Sequence, residues 1–307
     1  YHCTITACPN FGQALVNRHL SRKPAHHWNL NAIRILFNGA EPISVPIMQN
    51  FLKGLEPYGL SPKSMFPAYG LAEATLAVTF PEQGTGASII PFNRRKLIEK
   101  GQAEVGEPEE AMELVDLGAS VDHCAVRVVN YDGVEAPEGM VGDVHVKGSN
   151  ISPGYYADQE TTMAAFDGDW LRTGDLGFIL KGKLFITGRT KDIIFINGMN
   201  YYAHDVEHVA QQMEGIGNGK VVVTGSFDES EGRDRLLVFF VGTEQEETLT
   251  TCRKLKQHLS SRIGLNPDLF ILIRSSDIPR TSSGKIQRYK LAERFLRGEF
   301  SRFWKPE

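Results

Sequence analysis

Cysteine is scarce, with four residues in 307. Cys3, Cys8, Cys124 and Cys252 show neither CxxC spacing nor grouping with histidines. That excludes a zinc ribbon or a disulfide framework and leaves ordinary thiols of a reducing cytoplasm, the expected location. No apolar run approaches the roughly 20 residues needed to span a bilayer, so no membrane span is expected. A net charge of -4 carries no basic excess and gives no reason to expect a nucleic-acid partner. The chain starts at Tyr1 with no initiator Met, basic n-region or signal-peptide core. Alternating apolar and polar residues there read as a strand already inside a domain, and the chain is expected to be the C-terminal portion of a longer protein. Internal repeats and low-complexity tracts are also missing.

What is present is ordinary globular composition, 41% hydrophobic and 23% charged, at a length that suggests about two domains. Residues 1–80 read as α/β. A helix is predicted over Phe11–Leu20, a strand over Ala32–Asn38, a helix from Pro46 to Leu55 and a strand over Met65–Ala68, before a turn at Tyr69–Glu73. Residues 83–112 look like an insertion carrying a short helix. From 113 to 188 short β patterns (Ala125–Asn130, Gly142–Lys147, Phe178–Leu180, Lys183–Thr187) alternate with Gly turns, which predicts a small β-barrel-like subdomain. A boundary is expected at Gly188-Arg189-Thr190-Lys191-Asp192. Beyond it, residues 189–307 read as a compact α+β domain with strands at Ile193–Ile196, Lys220–Thr224 and Leu236–Val241 and helices at His204–Met213 and Leu249–Arg262.

Three stretches carry chemistry: Tyr69-Gly70-Leu71-Ala72-Glu73, Thr173-Gly174-Asp175-Leu176, and Pro279-Arg280-Thr281-Ser282-Ser283-Gly284-Lys285. They supply a ring for stacking, two carboxylates and a lysine on a Gly turn. Ser283-Gly284-Lys285 is not a Walker loop, because Pro279 stands where its first Gly belongs and Ile286 where its Ser/Thr belongs. Read alone, Tyr69 is a core aromatic, Asp175 a turn carboxylate, Lys285 a solvated turn lysine and Lys191 an exposed linker residue.

Six collinear stretches change that reading: Asn38-Gly39-Ala40-Glu41-Pro42, Tyr69 to Glu73, Gly142 to Gly148, Arg172-Thr173-Gly174-Asp175, Gly188-Arg189, and Pro279 to Arg288. Together they resemble the adenylate-forming superfamily of acyl-CoA synthetases, nonribosomal adenylation domains and luciferases, across nearly the whole chain. The resemblance implies part of a large α/β domain with a β-barrel subdomain, followed by a mobile α+β domain. It implies ATP as co-substrate and Mg²⁺ as metal. Tyr69 would stack on adenine, with Gly39, Ala40 and Glu41 along the ring edge and Gly70, Leu71 and Ala72 continuing the nucleotide-binding turn. Glu73 would hold Mg²⁺. Asp175 would accept from the ribose hydroxyls, and Arg189 would add a second ribose contact. Lys285 would bridge the attacking carboxylate and the α-phosphate. Lys191 would be the hinge, and Gly198 would mark the loop that enters for thioester formation.

Two features resemble the fatty acyl-AMP ligase branch. Ala72 stands where the superfamily usually has Thr, and Gly70 to Leu76, Pro9-Asn10-Phe11 and Asn197 to Tyr202 are similar to that branch. The stretch at 83–112, with Phe92, Arg94, Leu97 and the later Gly118, sits where those ligases carry an insertion linked to loss of CoA use. The resemblance implies a fatty acid substrate and transfer to the phosphopantetheine thiol of an acyl carrier protein in a polyketide or peptide assembly line, either a separate protein or a downstream domain of the same polypeptide. The tail from Arg280 has eight Lys/Arg against three Asp/Glu, a weak sign of an acidic partner. An acyl-CoA synthetase, an amino-acid-activating domain and a silent adenylate-binding module remain alternatives. The amine-pairing Asp of an amino-acid activator is missing among Thr4, Thr6, Cys8 and Asn10. The superfamily's Ser/Thr/Gly-rich phosphate loop is also missing, so the chain is expected to need that loop for adenylation.

Overall fold

A computed structural model describes residues 2–22, 27–196, 198–216, 219–228, 231–242, 248–281, 285–300 and 303–304. The chain divides into two units, Tyr1–Thr187 and Gly188–Glu307.

The first unit starts as a strand-helix-strand-helix-strand run. Strands Ile5–Ala7, Ile35–Asn38 and Met65–Pro67 pair in that order, all parallel. Helices Asn10–Arg22 and Val45–Leu55 make the two crossovers that parallel strands require. The second helix shows why the sequence is legible here. Pro46 falls in its first turn, and Val45, Met48, Phe51 and Leu55 recur at helical spacing and are all buried. They pack with Leu36, Leu60 and Met65 into one core. The carboxyl ends of the second and third strands run into Gly39-Ala40 and Ala68-Tyr69, where open α/β sheets place their ligands.

Residues 83–112 fold more fully than a single short helix. Strands Ile89–Asn93 and Ala111–Val115 pair antiparallel around the helix Arg94–Lys100. The Asn93 side chain caps that helix by accepting from the Lys96 amide, and Gly101 ends it in the left-handed region. Phe92 is fully buried against the rings of Phe178 and Phe185, at centroid distances of 5.0 and 5.3 Å. This piece is therefore seated on the following sheet rather than looped into solvent.

That sheet has five strands. Phe166–Asp167, Trp170–Leu180, Gly142–Gly148 and Cys124–Val129 lie in this order, and Lys183–Arg189 pairs with Trp170–Leu180. Val144, Val146, Leu171 and Leu184 from this sheet share a core with Tyr69, Ala74 and Val78.

The second unit is built on a sheet ordered Val221–Asp228, Arg233–Val241, Leu269–Ile273, Phe303–Trp304. Its central strand buries Leu236 to Phe240 without a break, as a strand covered on both faces does. Helices Ala203–Gln211, Thr248–Ile263 and Arg288–Leu296 complete the unit, with a separate hairpin of Ile193–Ile196 and Met199–Tyr202.

Candidate functional site

The expected nucleotide-binding residues of the first unit collect at one place through backbone geometry. Gly39 follows the second strand, and a Cβ there would lie 2.5 Å from the Ala68 carbonyl oxygen, so only glycine permits this approach. Ala40 has φ of 70°, a left-handed conformation that costs a non-glycine residue about 1 kcal/mol or more. Asn10 holds the loop in that shape. Its amide donates to the Pro42 carbonyl at 2.7 Å and its Oδ1 accepts from the Ser44 amide at 3.0 Å. Glu41 accepts from the Phe11 amide. The Pro-Asn-Phe stretch was visible in the sequence, but nothing in it showed that Asn10 reaches across more than 30 residues to brace this loop.

Tyr69-Gly70-Leu71 is a short strand rather than a turn, followed by a tight helical turn over Ala72–Ala74. Gly70 is forced, since a Cβ would meet the Leu76 carbonyl oxygen at 1.6 Å. The Tyr69 ring is 9% exposed and belongs to the core. Its hydroxyl donates to Asp175 Oδ2 at 2.7 Å. Asp175 is itself buried at 7% exposure. The residue expected at the adenine and the residue expected at the ribose are thus directly bonded to each other. Thr173 shapes the Asp175 turn, because its hydroxyl accepts from the Asp175 amide at 3.1 Å and donates to the Val144 carbonyl.

Glu73 is tied down from a segment that sequence patterns left unassigned. The Tyr155 hydroxyl donates to Glu73 Oε1 at 2.9 Å, and the Ser152 amide donates to the Glu73 carbonyl at 2.7 Å. Asn150 donates to the carbonyls of Ala74 and Ala77. Partial burial and then the Glu73 carboxylate push the Tyr155 phenol above its usual pKa, so it stays a donor at neutral pH. A shallow cavity of about 580 Å³ beside it is lined by Pro153, Tyr155, Tyr156 and Thr162 among others. Among the described residues no group of three or more His, Cys, Asp or Glu converges as a metal cage. A single hard carboxylate suits an ion that fills its shell with water and phosphate oxygens, as Mg²⁺ does.

In the second unit Arg189 and Lys191 are exposed, at the end of a strand and in the helical turn Thr190–Asp192. Gly198 has φ of 80° in the turn of its hairpin, with open space where a Cβ would be. Ser282, Ser283 and Gly284 lie outside the described residues. Lys285 is half-buried. Its amide donates to Thr281 Oγ1 at 3.1 Å and its carbonyl accepts from the Thr281 amide at 2.9 Å.

Residues 1–156 match the family described as AMP-binding enzyme. The chain is 34% identical to the long-chain-fatty-acid–AMP ligase FadD26 of Mycobacterium tuberculosis, over 97% of this chain and 54% of that protein. It superposes with a TM-score of 0.88 and 28% identity on a solved structure from work on fatty acyl-adenylate ligases of E. coli and L. pneumophila, covering 97% of this chain and 53% of that one. A structure of McyG A-PCP complexed with phenylalanyl-adenylate gives a TM-score of 0.79 at 31% identity, over 98% of this chain and 51% of that one. The chain spans about half the length of the curated relatives it matches. These likenesses bear out the expected fold class and the resemblance to fatty acyl-AMP ligases.

Proposed function

As the chain belongs to the family of AMP-binding enzymes, we propose that it forms part of a fatty acyl-AMP ligase. The reaction would use ATP to activate a fatty acid and would pass the acyl group to the phosphopantetheine thiol of an acyl carrier protein. The observation that carries this reading is the bonded pair of Tyr69 and Asp175 one short turn from Glu73.

In the first half-reaction a fatty acid carboxylate oxygen attacks the α-phosphorus, and the bond to pyrophosphate breaks. Asp175 would orient the ribose through its carboxylate, with Arg189 as a second contact. The backbone from Gly39 to Glu41 and from Gly70 to Ala72 would border the base, and Tyr69 would stack on adenine while its hydroxyl sets Asp175. Glu73 would hold Mg²⁺, which when bound would neutralise charge on the departing pyrophosphate. Two anions must meet at the α-phosphate, and the Lys285 ammonium would supply the cation; losing such a group costs about 10²–10³ in rate. In the second half-reaction a thiol sulfur attacks the acyl carbon and AMP leaves. Lys191 would be the hinge between the two reactions, and the loop around Gly198 would enter for thioester formation.

A carrier thiol is favoured over CoA by the seating of residues 83–112 through Phe92 and by likeness to the structure of McyG A-PCP. The test is a loading assay on a polypeptide that supplies the remaining length of the relatives. It should form acyl-AMP from a medium or long fatty acid and load a carrier protein, with little acyl-CoA. Robust acyl-CoA production would overturn the carrier assignment. Lys285→Ala should abolish adenylation while sparing transfer from supplied acyl-AMP, and equal loss of both would remove Lys285 from its role.

A further inference from the structure

Arg288 is the third residue after Lys285 and the first of the helix Arg288–Leu296. Its guanidinium is 14% exposed and divides its donors between two carboxylates. Nε and Nη2 donate to Glu207 Oε1 and Oε2 at 2.8 and 2.7 Å, in a bidentate fork. Nη1 donates to Asp192 Oδ2 at 2.9 Å. Glu207 is 8% exposed, and its Oε1 also accepts from the Val223 amide at 3.1 Å, which fixes it to the first strand of the central sheet. Asp192 directly follows Lys191. One side chain therefore joins the sheet, the segment next to Lys191 and the end of the Lys285 loop.

The described residues on either side of 282–284 pair with each other. Besides the two Thr281–Lys285 bonds, the Gln287 amide donates to the Pro279 carbonyl at 2.9 Å, and Arg280 and Ile286 form a bridge between them. Ile278 and Ile286 seat the two arms on the core formed by Leu237, Phe239 and Leu291, and the first residue beyond Gln287, Arg288, adds the polar attachment that fixes their direction.

Stability alone does not account for this arrangement. Burying the charges of Arg288 and Glu207, with Asp192 partly covered, carries a desolvation cost that apolar residues of similar volume often avoid. A rigid fork shared between two acids does what packing does not, since it admits one register. Burial works against the Arg288 charge, and Glu207 and Asp192 outweigh it, so the guanidinium stays protonated and the clamp persists through the neutral range.

We infer that Arg288 is a positioning residue for Lys285, clamping the lysine hairpin to Asp192 and Glu207 so that the ammonium is presented in one orientation. The consequence for catalysis rests on the proposed function, whereas the consequence for the hairpin does not.

Hydrogen–deuterium exchange and half-reaction kinetics on Arg288→Met, Arg288→Lys and Asp192→Asn test both. In Arg288→Met the amides of Thr281, Lys285 and Gln287 should exchange about tenfold faster, while those of Val221–Asp228 change little. Adenylation should lose about 10–100-fold in kcat with KM for ATP nearly unchanged, because a displaced group hurts the transition state more than binding. Transfer from supplied acyl-AMP should be spared. Arg288→Lys should recover only part of the loss, and Asp192→Asn should cause a smaller one. Unchanged exchange at the three amides, or faster exchange spread evenly over the unit, overturns the clamp. A loosened hairpin with intact adenylation overturns its catalytic consequence. If the unaltered protein forms no acyl-AMP, the proposed function falls, and exchange still decides whether Arg288 holds the hairpin.

Discussion

The hydroxyl of Tyr69 donates to Asp175 at 2.7 Å across 106 residues of sequence, in the buried interior of the first unit. An unpaired buried carboxylate would be costly, and Tyr69 offsets that cost while fixing which way the acid points. Tyr69→Phe keeps the ring and removes the donor. It should lower stability by about 1–2 kcal/mol and weaken AMP binding, measured by thermal melting and calorimetric titration. An unchanged melting temperature would show that Asp175 finds its donors elsewhere.

Tyr155 stands in the same relation to Glu73, with more solvent around it. Tyr155→Phe should leave the melting temperature almost unchanged and raise the Mg²⁺ concentration needed for half-maximal acyl-AMP formation severalfold. An identical Mg²⁺ titration for the two proteins would mean that Glu73 needs no such guide.

Gly70 is required by space rather than by torsion. Gly70→Ala drives a methyl group into the Leu76 carbonyl, and backbone cannot step aside as a flexible side chain does. A loss above about 3 kcal/mol is expected. Gly133→Ala is the control, because it meets nothing within 4 Å and suffers only the strain of its φ of 76°, about 1 kcal/mol. Equal melting temperatures for the two variants would contradict the close approach.

Phe92 decides whether residues 83–112 are held or loose. Phe92→Ala removes a fully buried ring from its contacts with Phe178 and Phe185 and should cost about 3–5 kcal/mol. If the seated insertion disfavours CoA, the surviving protein should form more acyl-CoA relative to carrier loading. No change in that ratio would separate the insertion from acceptor choice.

His204 makes the second unit sensitive to acid. Burial first, then the charges of Arg288 and His208, pull its pKa down to about 4 against the partial opposition of Asp205. The unfolded chain takes up the proton below about 6.5, while the folded one resists until about 4, so stability is full above pH 6.5 and falls as the pH drops through that window. The loss is about 2–3 kcal/mol for this one group. His204→Gln should flatten the curve of unfolding free energy between pH 6.5 and 4, and an unaltered curve would place the sensitivity in other groups.

Much of the fold was legible because the relevant signals are local. The helix expected from Pro46 to Leu55 runs Val45–Leu55, the strand at Ile193–Ile196 is as expected, and the paired Gly turns after 113 separate strands close to the predicted ones. Local signals failed where short segments borrow their structure from neighbours. Leu269–Ile273 is an unbroken apolar run that periodicity does not classify, and it becomes a strand by pairing with Leu237–Val241. Ile89–Asn93 and Ala111–Val115 lie about twenty residues apart and form only as a pair. The helix Gln159–Ala165 announces itself mainly through Asp158, which caps it by accepting from the Thr161 amide.

The resemblance carried by six collinear stretches is what pointed to Glu73, Asp175 and Lys285, since Asp175 and Lys285 read alone are ordinary turn residues. Which of them meet was a matter of three dimensions. The Tyr69–Asp175 bond, the grip of Asn10 on the Ala40 loop, the hold of Tyr155 on Glu73 and the Arg288 clamp all join residues far apart in sequence. A hydrogen bond depends on distance and direction, and both arise only once the cores that carry the partners have packed.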